Sequence, residues 1–381
     1  MSDLPASTPV IVAARRTPIA SKARRLAQFG LVELTSPVLR ALCEDADELV
    51  TAAGGISDVV LGNCMGPGGN PARAAALAAG LGDHVPGGSV DRQCGSGLAA
   101  ILDAAAPIRA GDSGLRLGGG AESPSTAPIR SIGGTAYSRA RFTPQGFPDP
   151  DMPQAAEDLA TASGISRLRQ DRYAQLSHHR AAEALTAGRF SSELVPLGGL
   201  HADEGIGRRS GVIPRLPPLT RQGTVTAGNS TRINDGAAAV LLAPASAARQ
   251  QNLPGLALRS HAMVGCDPSL PGLGAAPALQ HALARLGAET SDVNALEIVE
   301  AFASQTVAVL ARLGIDDDDP RVCADGGALA LGHPWGASGA VAAVRLFSRL
   351  VTSGAPAGTL GAAAVSVGGG LGIAAVVEVV R

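Results

Sequence analysis

The sequence predicts an α/β fold built around a largely buried sheet, and three observations predict it. Short apolar, strand-like runs alternate with Ala-rich helical stretches near both ends of the chain. Hydrophobic residues are 45% and charged residues 17% of the 381, enough for a sizeable core and too apolar for a disordered polyampholyte. Aromatics are only 2%, so Ala, Val, Leu and Ile must build that core.

Val10, Ile11, Val12 and Ala13 read as a buried strand, 34–46 as a helix, 59–61 as a second strand and 71–81 as a second helix. Residues 89–93 are strand-like and lead into a helix over 98–109; 115–117 then opens into Gly118, Gly119 and Gly120. The same rhythm returns late, with a strand at 295–299, helices at 303–313 and 336–350, and closing strands at 362–367 and 373–380. Each half carries a strand, a small-residue turn and a helix in similar order, which suggests an internal duplication. The middle is different. Pro124, Pro128, Pro144, Pro148, Pro150 and Pro153 precede a helix over 166–188 and a Gly/Arg/Pro stretch over 198–218. A loop-rich insertion of this kind often forms a lid or a binding wall.

Several function classes are disfavoured. A formal charge of −2 gives no reason to expect a nucleic-acid binder. Lys22 is the sole lysine, which excludes lysine catalysis from most of the chain. The five cysteines form no CxxC pair and the histidines no HExxH, so neither a disulfide framework nor a zinc site is indicated. The polar start, with Asp3, is not a secretory signal, and no apolar run reaches the roughly 18 residues of a membrane span. A cytoplasmic protein is expected. No GxGxxG stands in a dinucleotide-binding context, and 316–319 reads as a solvated acidic loop.

Two segments carry the chemistry. Gln93-Cys94-Gly95-Ser96-Gly97 places a thiol between a strand and a helix start. There the helix dipole and free N–H groups would lower its pKa from about 8.5. This is the setting of a nucleophile, or of a small buried thiol at a Gly-rich turn. His333 stands between Gly332 and Pro334 just before a helix, on a turn expected to expose its ring, and could be the proton partner. Gly368, Gly369 and Gly370, like Gly118 to Gly120, are read as strand ends whose N–H groups could form an oxyanion hole or allow tight packing.

Taken together, the motifs closely resemble the thiolase family, the acetyl-CoA acetyltransferases and 3-ketoacyl-CoA thiolases. They are Asn70-Pro71-Ala72-Arg73; Gln93 to Gly97; Gly119-Gly120-Ala121-Glu122-Ser123; Thr226-Ala227-Gly228-Asn229 with Asn234-Asp235-Gly236; Glu300-Ala301-Phe302; and 326–339. The resemblance runs essentially end to end. It implies a thiolase fold, two duplicated βαβαβαββ halves forming a five-layer αβαβα sandwich with an inserted loop domain. The implied parts are a first half at 1–122 completed by about 232–262, a loop domain at 123–231, and a second half at 263–381. It also implies a homodimer or homotetramer, with a coenzyme A thioester as substrate and no permanently bound cofactor. Carried over by motif, Cys94 takes the acyl group, His333 activates it, and the N–H groups of Cys94 and Gly368 hold the acyl oxygen. Thr231, Ala301, Phe302 and Met152 fall at family positions that border the CoA thioester.

The departures from the family pattern bear on the acceptor. Ser366 stands where thiolases carry a second catalytic cysteine, and a hydroxyl is a far weaker acid than a thiol. Val299 replaces an asparagine that holds an oxyanion-hole water. Gln93 occupies a usually apolar position beside the nucleophile, and an Arg near the adenine is missing, with Arg215 as the nearest substitute. Carrier-bound pantetheine is therefore an alternative donor to CoA. Three readings follow: a thiolase-type C-acyltransferase, an acyltransferase or hydrolase delivering to a heteroatom nucleophile, and a non-catalytic partner subunit of an acyl-transfer complex.

Overall fold

The computed structural model describes residues 4–207 and 210–381. Asp3 and the 208–209 part of the Gly/Arg/Pro stretch lie outside the described residues. The first strands and helices are β1 (Pro9–Arg16), β2 (Ala20–Ser21), α1 (Leu31–Asp45), α2 (Asp47–Ala52), β3 (Ile56–Gly62), α3 (Pro71–Ala78), β4 (Gly88–Val90), α4 (Ser96–Arg109) and β5 (Leu115–Glu122). The middle segment holds the hairpin β6 (Arg130–Ile132) and β7 (Thr135–Tyr137), then α5 (Met152–Ala162) and α6 (Arg167–Thr186). The chain continues through β8 (Asn234–Pro244), α7 (Ala245–Gln250), β9 (Gly255–Gly265), α8 (Ala275–Ala284), β10 (Val293–Ile298) and α9 (Ala303–Leu313). It closes with α10 (Ala328–Leu331), α11 (Trp335–Phe347), β11 (Leu360–Val367) and β12 (Leu371–Val380).

Local chemistry sets several boundaries. Asn70 caps α3 by accepting from the Arg73 N–H, and Pro71 sits where a missing N–H costs nothing. Ser166 caps α6 through the Arg169 N–H, and Gly314 ends α9 at a φ of +68°.

The strands lie in the order β10-β11-β12-β9-β1-β8-β5-β3-β4. Alternate residues of each inner strand feed different cores. In β8, Ala238, Val240 and Leu242 face the central core, whereas Ala237, Ala239, Leu241 and Ala243 face an outer one with α1 and α3. In β12, Ile373, Ala375 and Val377 join the central core, while Ala374 and Val376 face a second outer core with α8 and α9. Helices α4 and α11 pack together between the two sheet halves. The result is helix, sheet, helix, sheet, helix: five layers.

Two expectations change. β9, which the sequence places with the first half, pairs along its whole length with β12 and touches β1 only at Val10 and Ile11. It therefore belongs to the second half's sheet. Gly118, Gly119 and Gly120 do not end a strand; they lie inside β5, paired with β3 and β8. Their smallness serves packing. A Cβ on Gly120 would stand 1.9 Å from the Gly336 carbonyl oxygen, so this glycine lets α11 rest on the sheet.

Candidate active site

Cys94 sits in the turn between β4 and α4, and the turn is held by its own side chains. The Asn63 N–H donates to the Val90 carbonyl, aligning the strand ends. Ser96 Oγ donates to the Gln93 carbonyl at 2.7 Å and accepts from the Arg92 N–H at 2.8 Å. Asp91 Oδ1 accepts from the Gln93 N–H, and Gln93 adopts a φ of +46°, in the left-handed region that non-glycine residues seldom occupy. Gly95 and Gly97 then admit the other half. A Cβ on Gly95 would lie 2.9 Å from Val367, and one on Gly97 would lie 2.8 Å from the Gly336 oxygen.

His333 arrives from that other half, after Gly332 at a φ of +120°. Its N–H donates to Asn234 Oδ1 at 3.0 Å. Its ring is not exposed, as the Gly-His-Pro turn suggests, but is buried at 3% exposure. Nδ1 lies 2.6 Å from Ser338 Oγ, and Ser338 Oγ donates to the Pro334 carbonyl at 2.9 Å. A hydroxyl has one proton, so the arrangement that satisfies both bonds has Nδ1–H donating to Ser338. Nε2 is then the unprotonated nitrogen, and it is buried without a partner among the described residues.

Burial governs both titrations. It pushes the Cys94 thiol up to about 12; the carboxylates of Glu122 and Asp91 push the same way, and the N–H groups of Cys94 and Gly368 oppose them. Burial drives the His333 imidazole down to about 4. The expected low-pKa thiol is thus corrected: Cys94 and His333 rest neutral, because desolvation outweighs the helix terminus. The N–H groups of Cys94 itself and of Gly368 lie near the sulfur and favour its charged form.

One cavity of about 370 Å³ collects the predicted residues. Cys94, His333, Ser366, Gly368, Thr231, Ala301, Phe302 and Met152 all line it. The Thr231 N–H donates to the Ala301 carbonyl at 3.0 Å, joining two of these positions. Val299 does not line it; it is buried, and its N–H continues a ladder to the Ala364 carbonyl. Arg215 does not line it either. Of the two other cysteines near the motifs, Cys64 lines the cavity and Cys323 is buried away from it, donating to the Ile298 carbonyl.

Ser366 reaches the cavity with its hydroxyl already engaged. Oγ donates to the Gly272 carbonyl at 2.6 Å and accepts from the Ala275 N–H at 3.0 Å. The hydroxyl proton is committed to that carbonyl, and the two bonds brace β11 against the start of α8.

Sequence reasoning missed Arg130, Phe142, Gln305 and Trp335, which also line the cavity. Trp335, the sole tryptophan, was signalled by its place two residues after His333. Gln305 lies one turn beyond Ala301, and its Oε1 accepts from the Ala301 N–H at 3.2 Å. Arg130 and Phe142 come from the Pro-rich segment, which has no periodicity to announce them.

Glu122 ties the halves together under this site. Its carboxylate accepts from the Cys64, Met65 and Gly336 N–H groups and from Asn63 Nδ2, at 2.9–3.1 Å. Gly336 is on α11, so β5 of the first half fixes the helix that follows His333.

Comparison with known proteins bears on this geometry. The family model for the thiolase N-terminal domain matches residues 9–246, and that for the thiolase C-terminal domain matches 254–379. A Bacillus subtilis (strain 168) protein named "Putative acetyl-CoA C-acetyltransferase YhfS" is 40% identical over 376 residues, covering 97% of this chain and 99% of the relative. A Staphylococcus aureus (strain MRSA252) protein named "Putative acetyl-CoA C-acetyltransferase VraB" is 39% identical over 385 residues, covering 96% and 98%. The crystal structure of the Bacillus anthracis acetyl-CoA acetyltransferase superposes with a TM-score of 0.89 at 32% identity, covering 98% of this chain and 99% of that one.

Proposed function

The chain belongs to the thiolase family and is one of its acyltransferases, and on that premise we propose that it forms an acyl-enzyme on Cys94 from an acyl-CoA thioester. The Cys94 sulfur attacks the thioester carbonyl carbon while His333 Nε2 takes the thiol proton. The carbon–sulfur bond to CoA breaks, and the departing CoA sulfur leaves with that proton. The N–H groups of Cys94 and Gly368 receive the carbonyl oxygen as its charge grows. One observation carries the reading: His333, whose buried Nε2 has no partner among the described residues and whose other ring nitrogen is tied to Ser338, lines the same cavity as Cys94.

Thr231, Ala301, Phe302 and Met152 flank the pantetheine arm in this proposal, whether it comes from CoA or from a carrier. No permanently bound cofactor takes part. The chain works as a homodimer or homotetramer in the cytoplasm, with a first half at 1–122 completed by β8, a loop domain at 123–231, and a second half that begins with β9. Among the described residues no helix is long and apolar enough to cross a membrane.

The engaged Ser366 hydroxyl and the apolar Val299 favour a particular second step. Without a thiol at 366 to remove an α-proton, the acyl group passes to an oxygen or nitrogen nucleophile or to water rather than to carbon. Incubation with acetyl-CoA should add an acetyl group to Cys94 by intact mass, and Cys94→Ala should abolish it. No adduct across a broad acyl-CoA panel would leave the partner-subunit reading standing. Acetoacetyl-CoA thiolysis at ordinary enzyme rates would restore the carbon–carbon reading.

A further inference from the structure

Arg130 begins β6 and lines the cavity that holds Cys94 and His333. Its Nη2 donates to the Cys64 carbonyl. Among the described residues no carboxylate lies in ion-pair range of its guanidinium, although Asp91 shares the cavity wall. The other two arginines that this segment puts on the wall are answered by Asp149, which lies 2.8 Å from Arg139 and 3.6 Å from Arg141.

A short chain of contacts carries Arg130 to the nucleophile. Cys64 accepts from Arg130 through its carbonyl and donates through Sγ to the Gln93 carbonyl at 3.1 Å; Gln93 directly precedes Cys94. Gln93 also lines the cavity, and its side-chain amide makes no hydrogen bond with any described residue. Its left-handed backbone, pinned by Asp91, Ser96 and Cys64, holds it there at a conformational cost. The remaining wall is largely apolar, with Met65, Phe142, Leu159 and Phe302. A plain alkyl acyl chain would leave the remaining guanidinium N–H groups and the amide against apolar atoms, which is costly. A carboxylate would satisfy both, since a guanidinium offers it paired N–H groups.

Resting on the Cys94 acyl-enzyme reading, we infer that the preferred acyl group ends in a carboxylate. The donor is the monothioester of a short dicarboxylic acid, with Arg130 and Gln93 as its specificity-determining residues.

The test compares Cys94 acylation by succinyl-CoA and by its neutral isostere 4-methylpentanoyl-CoA, followed by intact mass. The native chain should favour the succinyl group by about ten- to a hundredfold, the worth of a hydrogen bond to a charged group. Arg130→Met should remove most of that ratio, Gln93→Leu should lower it independently, and Arg130→Lys should retain part of it. The same ratio should persist with the corresponding pantetheine thioesters, which carry no nucleotide phosphates. If Arg130→Met slows both CoA thioesters equally and leaves both pantetheine thioesters untouched, Arg130 serves a phosphate and the inference fails. Equal acylation by both acyl groups in the native chain also overturns it. Acetyl transfer without succinyl preference defeats this inference alone, whereas no adduct from any thioester defeats the Cys94 reading beneath it.

Discussion

Ser366 and Gly272 share a hydrogen bond that settles what the serine can do: its hydroxyl donates to the Gly272 carbonyl at 2.6 Å while accepting from the Ala275 N–H. The single hydroxyl proton is spent on packing. Ser366→Ala should cost about 1–3 kcal/mol of stability, because the buried Ala275 N–H loses its acceptor. The Ser366→Cys, Val299→Asn pair should raise acetoacetyl-CoA thiolysis above the native level. Thermal melts and a thiolysis assay read the two effects, and no gain in thiolysis would show that more than these two side chains blocks carbon–carbon chemistry.

The pH dependence of acylation follows from burial at both partners. Only neutral imidazole can accept the thiol proton, and His333 is pushed down to about 4. The rate constant for Cys94 acylation should therefore stay level from neutral pH down to about 5, then fall as the ring protonates below it. No limb is expected near 6.5, where an exposed histidine titrates. An inflection there in kcat/KM would contradict a desolvated ring.

Ser338 holds the imidazole through Nδ1 at 2.6 Å and so decides which nitrogen is left to accept a proton. Ser338→Ala should slow Cys94 acylation by about ten- to a hundredfold through ring misplacement and mixed tautomers. Because the hydroxyl also bonds the Pro334 carbonyl, a small stability loss should accompany it. A melt shifted with acylation intact would reduce Ser338 to a structural role.

Glu193 joins three parts of the chain in a buried network. Its Oε1 accepts from Arg16 Nε at 2.7 Å and its Oε2 accepts from Arg345 and from Ser348 Oγ. Phe190 lies under both guanidiniums. Burial opposes ionisation of Glu193, but Arg345 and Arg16 together hold its carboxyl below the usual range. Glu193→Gln should destabilise the chain by about 3–5 kcal/mol, since two buried cations lose their shared anion. Chemical denaturation of the variant should show it; a loss under about 1 kcal/mol would mean that Asp203 and Asp325 suffice.

Much of the site was legible in the sequence. Residue type and local spacing marked Cys94 between a strand and a helix, and His333 between glycine and proline, because strand–turn–helix geometry is encoded within a few residues. The apolar runs at 10–13 and 373–380 likewise marked strands of a largely buried sheet. Arg130 and Phe142 stayed silent, because a Pro-rich loop has no period that reveals which side chain turns inward.

The amino-acid sequence by itself determined the layered fold, the thiolase motifs, and the substitutions at 299 and 366. Only the tertiary structure decided how those groups behave. It desolvated a thiol whose helix-start position suggested a low pKa, selected the imidazole tautomer through Ser338, and committed the Ser366 proton to Gly272. The physical reason is that desolvation and hydrogen-bond partners are properties of neighbours brought from distant segments: Cys94 meets the Gly368 N–H only because glycines at 95 and 97 let the two halves close on one another.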